Sequence, residues 1–509
     1  FFKLYKRRIK MDIAQPMWLS SISREAKHRL SRIHDTFERG SQEALVSPAW
    51  GEEDDGVIQD KAINHLQGLN IESTLMEMEL SNASKLGPRS IAIPGSERRE
   101  GIQDHFAHSA SKSELESLYQ NAQPLDFINP SPRLRPLSFS QAQDELIRTT
   151  SSGLPSLEKK GNLLPLNESE MRDQRFAFPA IPYTRTQESK KTRLVWGTPI
   201  SDVVFEMAFY KPYLLSFEKG WNVRSALGGP DYAARAMTEH FRQFEEQKKG
   251  EPNLQMVSLD FSAFDASITP QMSAEAFAFI SHFFQREYEE ELFQIMHRFV
   301  TMPLAMPEGD YSGYHGVPSG SGFTNAIDSI VQFNTIHHVL DNRHLIREVQ
   351  GDDGFAFTND PDGLFTGVNS QGLAVNGSKS HISDREAMYL QLYYNPVYKH
   401  RRDPTIMGGV YPILRALLRL KYLERWTNFE KEGISGDDFF ALRTQMILNN
   451  CEHHPAFEWL VKYVHSVDPR SFSWTPKGER RYKEMLDPKI RAGVFNSRIG
   501  FAAMEVLNT

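Results

Sequence analysis

Cysteine is almost absent. The 509 residues contain one, Cys451, which excludes disulfides and cysteine-ligated zinc and points to a reducing compartment. Long apolar runs are missing too. No stretch approaches the roughly eighteen residues of a membrane-spanning helix, so no membrane partner is expected. The chain begins FFKLYKRRIK, apolar then basic, the reverse of a secretory signal. Its first residue is Phe, so leading residues are expected to be missing. No one sign of charge dominates: 58 Lys and Arg stand against 65 Asp and Glu, a net charge of −7. That balance neither suggests nor excludes nucleic acid, because a basic channel can sit inside an acidic protein.

What is present is ordinary globular composition, 40% hydrophobic and 24% charged. Collagen-like and wholly disordered classes are excluded, and the length predicts two to four domains or subdomains. No internal repeat is visible. Residues 1–60 mix a basic run, Lys6-Arg7-Arg8, with an acidic one, Glu52-Glu53-Asp54-Asp55. Asn121 to Arg135 is proline-rich and reads as an ordered linker or extended arm. From about Lys399 the pattern turns mostly helical, basic at its start.

Three places carry chemistry. In Val257-Ser258-Leu259-Asp260-Phe261-Ser262-Ala263-Phe264-Asp265, Met256 to Leu259 reads as a short buried strand ending at Asp260. Residues five apart on a strand face opposite ways, so Asp260 and Asp265 share a site only if the chain turns near Ser262 and Ala263. Taken alone, they read equally well as a strand-end Asp and a helix cap. In Gly316-Val317-Pro318-Ser319-Gly320-Ser321-Gly322-Phe323-Thr324-Asn325-Ala326-Ile327-Asp328, a loop of small residues feeds a helix. Phe323, Ile327, Ile330 and Val331 form its buried face, while Thr324 and Asp328 share another. Such a loop suits close approach to a sugar or phosphate, or simply caps the helix. In Gln350-Gly351-Asp352-Asp353-Gly354, apolar flanks predict a β-hairpin with two acids at its tip and positive φ at the glycines. Adjacent carboxylates repel, and the arrangement makes sense if a divalent cation neutralises them. Together the three supply hard oxygen ligands suited to two metals about 3.5–4 Å apart, the requirement for nucleotidyl transfer.

These residues resemble the viral RNA-dependent RNA polymerases. Asp260 and Asp265 look like motif A, Ser319-Gly320 with Thr324 like motif B, and Gly351-Asp352-Asp353 like motif C. The wording DFSAFDAS, PSGSGFTNAIDS and QGDDG is similar to enzymes of partitiviruses and, more so, picobirnaviruses. Thr150, Ser151, Ser152 and Gly153, before Leu154-Pro155, look like the template-lining motif G. Arg185, Lys190, Lys191 and Arg193 look like the basic motif F, Lys379 like the motif D lysine, and Met388-Tyr389-Leu390-Gln391 like the motif E hairpin. The resemblance runs from about 150 to 395.

The resemblance implies roles. Asp260 and Asp352 are the expected metal ligands, Asp353 an outer or occasional one, for two Mg2+ ions with Mn2+ tolerated. Asp265 is expected to read the ribose with Ser319, Gly320, Thr324 and Asp328. Asp328 occupies a slot where many relatives carry Asn, and an ionised Asp only accepts hydrogen bonds. Arg185, Lys190, Lys191 and Arg193 are expected over the triphosphate; on a strand only one of the adjacent lysines can face it. Lys379 is the candidate general acid. Arg415 and Arg419, four apart on an amphipathic helix, are candidates to track the RNA duplex. His337 and His338 lack a third ligand at suitable spacing and read as structural.

The implied fold is α+β, a closed-fist right hand whose antiparallel palm sheet is backed by helices. An arm (1–60) would bridge fingers and thumb, with fingers at 61–200 and 274–312, palm at 201–273 and 313–398, and thumb at 399–509. The implied partners are RNA template and product duplex, nucleoside triphosphates and viral capsid protein, in the virion interior or host cytoplasm. A reverse transcriptase is the enzyme rival, but Gln350-Gly351 stands where those usually carry an aromatic before the acids. A non-catalytic RNA-binding or capsid-associated protein of the same fold would be expected to have lost Asp260 or Asp352, and both are present.

Overall fold

The computed structural model describes residues 16–122, 133–217, 222–340, 346–491 and 501–507. The Lys6–Arg8 run, most of the proline-rich stretch and part of the C-terminal region lie outside the described residues.

Helix α1 (Arg24–Arg39) begins at Ser23, whose side chain accepts from Ala26 N. Its apolar residues Ala26 and Leu30 pack with Leu154, Ile181 and Ala305 on the fingers side. The chain then reaches the thumb: Ser47 N donates to Lys421 O and Leu423 N to Leu45 O. Asp55 accepts from Lys421 Nζ at 2.6 Å and Tyr422 Oη at 2.8 Å. One segment therefore ties both sides of the cup together.

Helices α2 (Asp55–Gly68) and α3 (Ser73–Ala83), grouped with the fingers on sequence, belong to another core. Ile58, Ala62, Leu66 and Ala83 pack with Leu414, Leu417 and Leu460. Glu79 of α3, fully buried, accepts from Ile413 N and Leu414 N at 2.7 and 3.0 Å, closing the start of a thumb helix. Apolar periodicity tells that a face is buried, not what covers it.

In the fingers, β1 (Ile181–Thr186) and β2 (Thr192–Gly197) form an antiparallel ribbon leading into α4 (Ile200–Phe217). Helix α5 (Pro230–Lys248) precedes β3 (Gln255–Leu259). Helices α6 (Pro270–Ser281), α7 (Glu289–Thr301) and α8 (Thr324–Val339) then lead to β4 (Ile346–Gln350), β5 (Asp353–Thr358) and β6 (His381–Ser383). These strands make one antiparallel sheet in the order β4-β5-β3-β6. Alternation along β3 buries both faces: Met256 packs with Phe241 and Phe244 of α5, while Val257 and Leu259 join the core containing Ile327 and Ile330 of α8. The palm sheet is thus backed by helices on both sides.

A hairpin of β7 (Ala387–Tyr389) and β8 (Leu392–Tyr394) follows. Its turn residues Leu390 and Gln391 both have positive φ, 54° and 65°. After residue 399 the chain makes two short strands, Lys399–His400 and Asp403–Met407, rather than entering helix directly. The thumb helices α9 (Ile413–Lys421), α10 (Gly436–Asn449) and α11 (Phe457–Val467) come next. Among the described residues no helix is long and apolar enough to cross a membrane.

Candidate active site

The acids meet because of strand register. Leu259 pairs with Gly354, so Asp260 leaves the end of β3 beside the β4–β5 turn. Gln350 pairs with Asp353, leaving Gly351 and Asp352 as the turn, with Gly351 at φ 66°. Gly354 differs from expectation. It lies within the strand, and what it supplies is space, because a Cβ there would overlap the Gln332 amide. Asp260 is anchored through its backbone: its N donates to Ser380 Oγ at 3.1 Å and its O accepts from Asn376 N at 2.8 Å. That loop carries Lys379.

Electrostatics join these groups into one field. Burial raises the Asp260 carboxyl, Lys379 opposes it, and Asp352 raises it further. Burial, then Asp352 and Asp260, pushes Asp353 up to about 7. Lys191 is lowered mainly by burial, helped by Arg193 and Lys379 and opposed by Asp260 and Asp352. Among the described residues no group of three or more His, Cys, Asp or Glu side chains is placed to hold a metal ion by itself. Asp260, Asp352 and Asp353 are an open set of mutually repelling oxygen donors. That fits magnesium, which binds through one or two carboxylates, waters and substrate phosphates rather than a dedicated cage.

The turn required after Asp260 is made at Ala263, which adopts the left-handed conformation at φ 50° before the helical turn Phe264–Ser267. Asp265 thereby faces the small-residue loop and accepts the Ser319 hydroxyl. Asp265 O also accepts from Val317 N at 2.8 Å. Gly320 and Thr324 hold the loop's shape. A Cβ on Gly320 would collide with Trp196 O, and Thr324 Oγ1 donates to Pro318 O at 3.0 Å. Asp328 is 5% exposed, and its Oδ1 has no hydrogen-bond partner among the described residues. Burial, with Asp265 and Asp352 adding, raises its carboxyl well above the usual range. A protonated Asp328 would both donate and accept, as Asn does.

Other assignments change. Lys190 and Lys191 are not on a strand: Lys190 ends a 3-10 turn at φ 57°, and Lys191 precedes β2. Lys191 shares the field of Asp260 and Asp352. Arg185 lies opposite Arg193 across the ribbon, a like-charge pair that costs stability without an anion. Arg185 also approaches Glu424 at 3.6 Å. Ser152 is fully buried, its N donating to Glu158 O, and a Cβ on Gly153 would strike Thr198 O. Neither is open to RNA. Ser151 Oγ accepts from Tyr183 Oη at 2.8 Å, and Thr150 is exposed. Arg415 and Arg419 converge with Arg89 on Glu188 at 3.6, 3.7 and 3.5 Å. They close thumb onto fingertip instead of presenting a free face to a duplex.

Sequence reasoning passed over several residues. Glu188 and Glu206 were acids without a motif; Glu206 accepts from Gly322 N at 2.8 Å beneath the loop. Asn325, Ser329 and Gln332 had a usable signal: polar residues at i, i+4 and i+7 on a helix with buried apolar faces.

The fold is that of a right-hand polymerase, and residues 182–362 match the family described as "Viral RNA-dependent RNA polymerase". The chain is similar to a protein named "Potential RNA-dependent RNA polymerase" from human picobirnavirus, 26% identical over 421 residues, spanning 77% of this chain and 76% of the relative. The crystal structure of the RNA-dependent RNA polymerase of a human picobirnavirus superposes with TM-score 0.75 at 21% identity, covering 97% of this chain and 96% of that one. An RNA-directed RNA polymerase of Cryptosporidium parvum virus 1 is 21% identical over 254 residues, 45% of this chain and 46% of the relative.

Proposed function

We propose that this chain joins ribonucleotides on an RNA template by a two-metal mechanism, replicating and transcribing a double-stranded RNA virus genome. The observation that carries the reading is the β3–β5 register, which sets Asp260 beside the Asp352–Asp353 turn. Bound there, two divalent cations would activate the primer 3′-hydroxyl and stabilise the leaving pyrophosphate. Asp260 and Asp352 would hold them, with Asp353 as a peripheral ligand.

The chain's own groups do the rest. Arg193 and Lys191 draw the triphosphate to the acids and neutralise its charge, Arg193 with a planar fork that matches phosphate oxygens. Asp265, held by Ser319, and the neutral Asp328 read the ribose 2′-hydroxyl. Lys379 gives a proton to the departing pyrophosphate. The likeness to picobirnavirus enzymes supports a particle-bound setting, with capsid protein as partner, in the virion interior or host cytoplasm.

The test is incorporation of labelled ribonucleotide on an RNA template with magnesium, beside DNA-template and deoxynucleotide controls. RNA-templated synthesis is expected. Preference for deoxynucleotides would favour a reverse transcriptase, and no synthesis by the folded protein would favour a non-catalytic RNA-binding role.

A further inference from the structure

Three polar side chains of α8 reach the acidic turn from beneath. Asn325, Ser329 and Gln332 lie on one stripe of the helix, and Ser329 and Gln332 are completely buried. Ser329 Oγ accepts from Gly351 N at 2.9 Å and donates to Asn325 O at 2.6 Å. The Gln332 amide, oriented by its hydrogen-bonding surroundings, donates to Gly351 O at 3.2 Å and Asp353 O at 3.1 Å. Asn325 Oδ1 accepts from Gln350 Nε2 at 3.0 Å and Arg224 Nη2 at 2.6 Å.

Gly351 and Asp353 flank Asp352, so these bonds grip the turn on both sides of its tip. Burying a primary amide is costly unless it is hydrogen-bonded, and an apolar side chain of equal volume would fill the same space. The amide's distinctive contribution is to fix the two carbonyls. Gly354 belongs to the same arrangement, because its missing Cβ leaves room for that amide.

We propose that Gln332, assisted by Ser329, is a positioning residue that sets where Asp352 presents its carboxylate, and so governs how tightly the acidic turn takes a divalent cation. The inference rests on the polymerase reading above. Helix α8 also carries Asp328 and begins just beyond Ser319. Metal turn and sugar-reading face are therefore mounted on one rigid element.

The test replaces the amide with an isosteric side chain that cannot donate, Gln332→Met. Mn2+ binding to the full chain, followed by electron paramagnetic resonance without nucleotide or RNA, should weaken about tenfold, as when other partners that orient metal ligands are lost. The magnesium concentration for half-maximal incorporation should rise in parallel, with the nucleotide KM at saturating magnesium unchanged. Gly354→Ala displaces the same amide and should reproduce the loss. In a Gln332→Ala background, where that space is open, it should add little. Should Gln332→Met not fold, Ser329→Ala removes the acceptor for Gly351 N and carries the same expectation. Wild-type Mn2+ affinity in a folded Gln332→Met or Ser329→Ala chain would overturn the proposal, as would full additivity of Gly354→Ala with Gln332→Ala. If the wild-type chain incorporates no nucleotide, the polymerase reading fails, and the Mn2+ comparison still decides the role of Gln332.

Discussion

Ser319 gives its hydroxyl hydrogen to Asp265. That bond ties the turn after Asp260 to the loop feeding α8, so Asp265 and Ser319 sit at a fixed place relative to Asp260 and the acidic turn. Asp328, one helical turn past Thr324, lies buried on the same helix, and burial, with Asp265 and Asp352 adding, raises its carboxyl.

Asp328→Asn should therefore keep the preference for ribonucleotides, because both side chains donate and accept. Asp328→Ala should lower the kcat/KM ratio of GTP over dGTP by about two- to tenfold, the worth of one neutral hydrogen bond. An unchanged ratio in Asp328→Ala would leave discrimination to Asp265 and Ser319.

Glu188 is held by Arg415, Arg419 and Arg89 from two sides of the cup. Burial alone would raise its carboxyl, but its own backbone amide and these three guanidinium groups hold it below the usual range. Glu188→Ala leaves three cations facing one another and should cost about 2–4 kcal/mol. Thermal unfolding should fall accordingly and partly recover in high salt. An unchanged Tm would show that the closure rests on the arm contacts at Asp55 and Lys421 instead.

Much of this was legible beforehand, for a physical reason. Asp260, Asp265, Ser319, Asp352 and Asp353 stand in short runs where local spacing and chemistry coincide, and strand, turn and helix formed where those runs indicated. Partners across the chain were not legible. Arg415 and Arg419 have the spacing of an exposed basic face, and only the fold brings Glu188 to them. Ser152 and Gly153 look like part of a template-lining loop, yet the first is buried and the second leaves no room for a Cβ beside Thr198. Helices α2 and α3 lie early in the chain but pack on α9, because Glu79 closes that helix's start.

Glu206 sits buried under the Ser319 loop, its carboxyl pushed up to about 7 by burial. A carboxyl raised from about 4.5 to about 7 on folding stabilises the fold below the lower value and loses that contribution as pH rises through the upper. Glu206→Gln, which still accepts from Gly322 N, should therefore gain stability relative to wild type as pH goes from about 5 to about 8. The gain should be on the order of 3 kcal/mol. Tm differences that are equal at both pH values would contradict a buried, protonated Glu206.

The most direct measurement is RNA-templated incorporation by Asp352→Asn at saturating magnesium and nucleotide, alongside its Tm and RNA affinity. Asparagine keeps the size of the turn residue and removes the charge that the cations need. The expected result is a folded, RNA-binding protein whose turnover is at least about 100-fold lower, beyond what loss of an outer partner costs. A folded Asp352→Asn chain that retained half or more of wild-type turnover would contradict it.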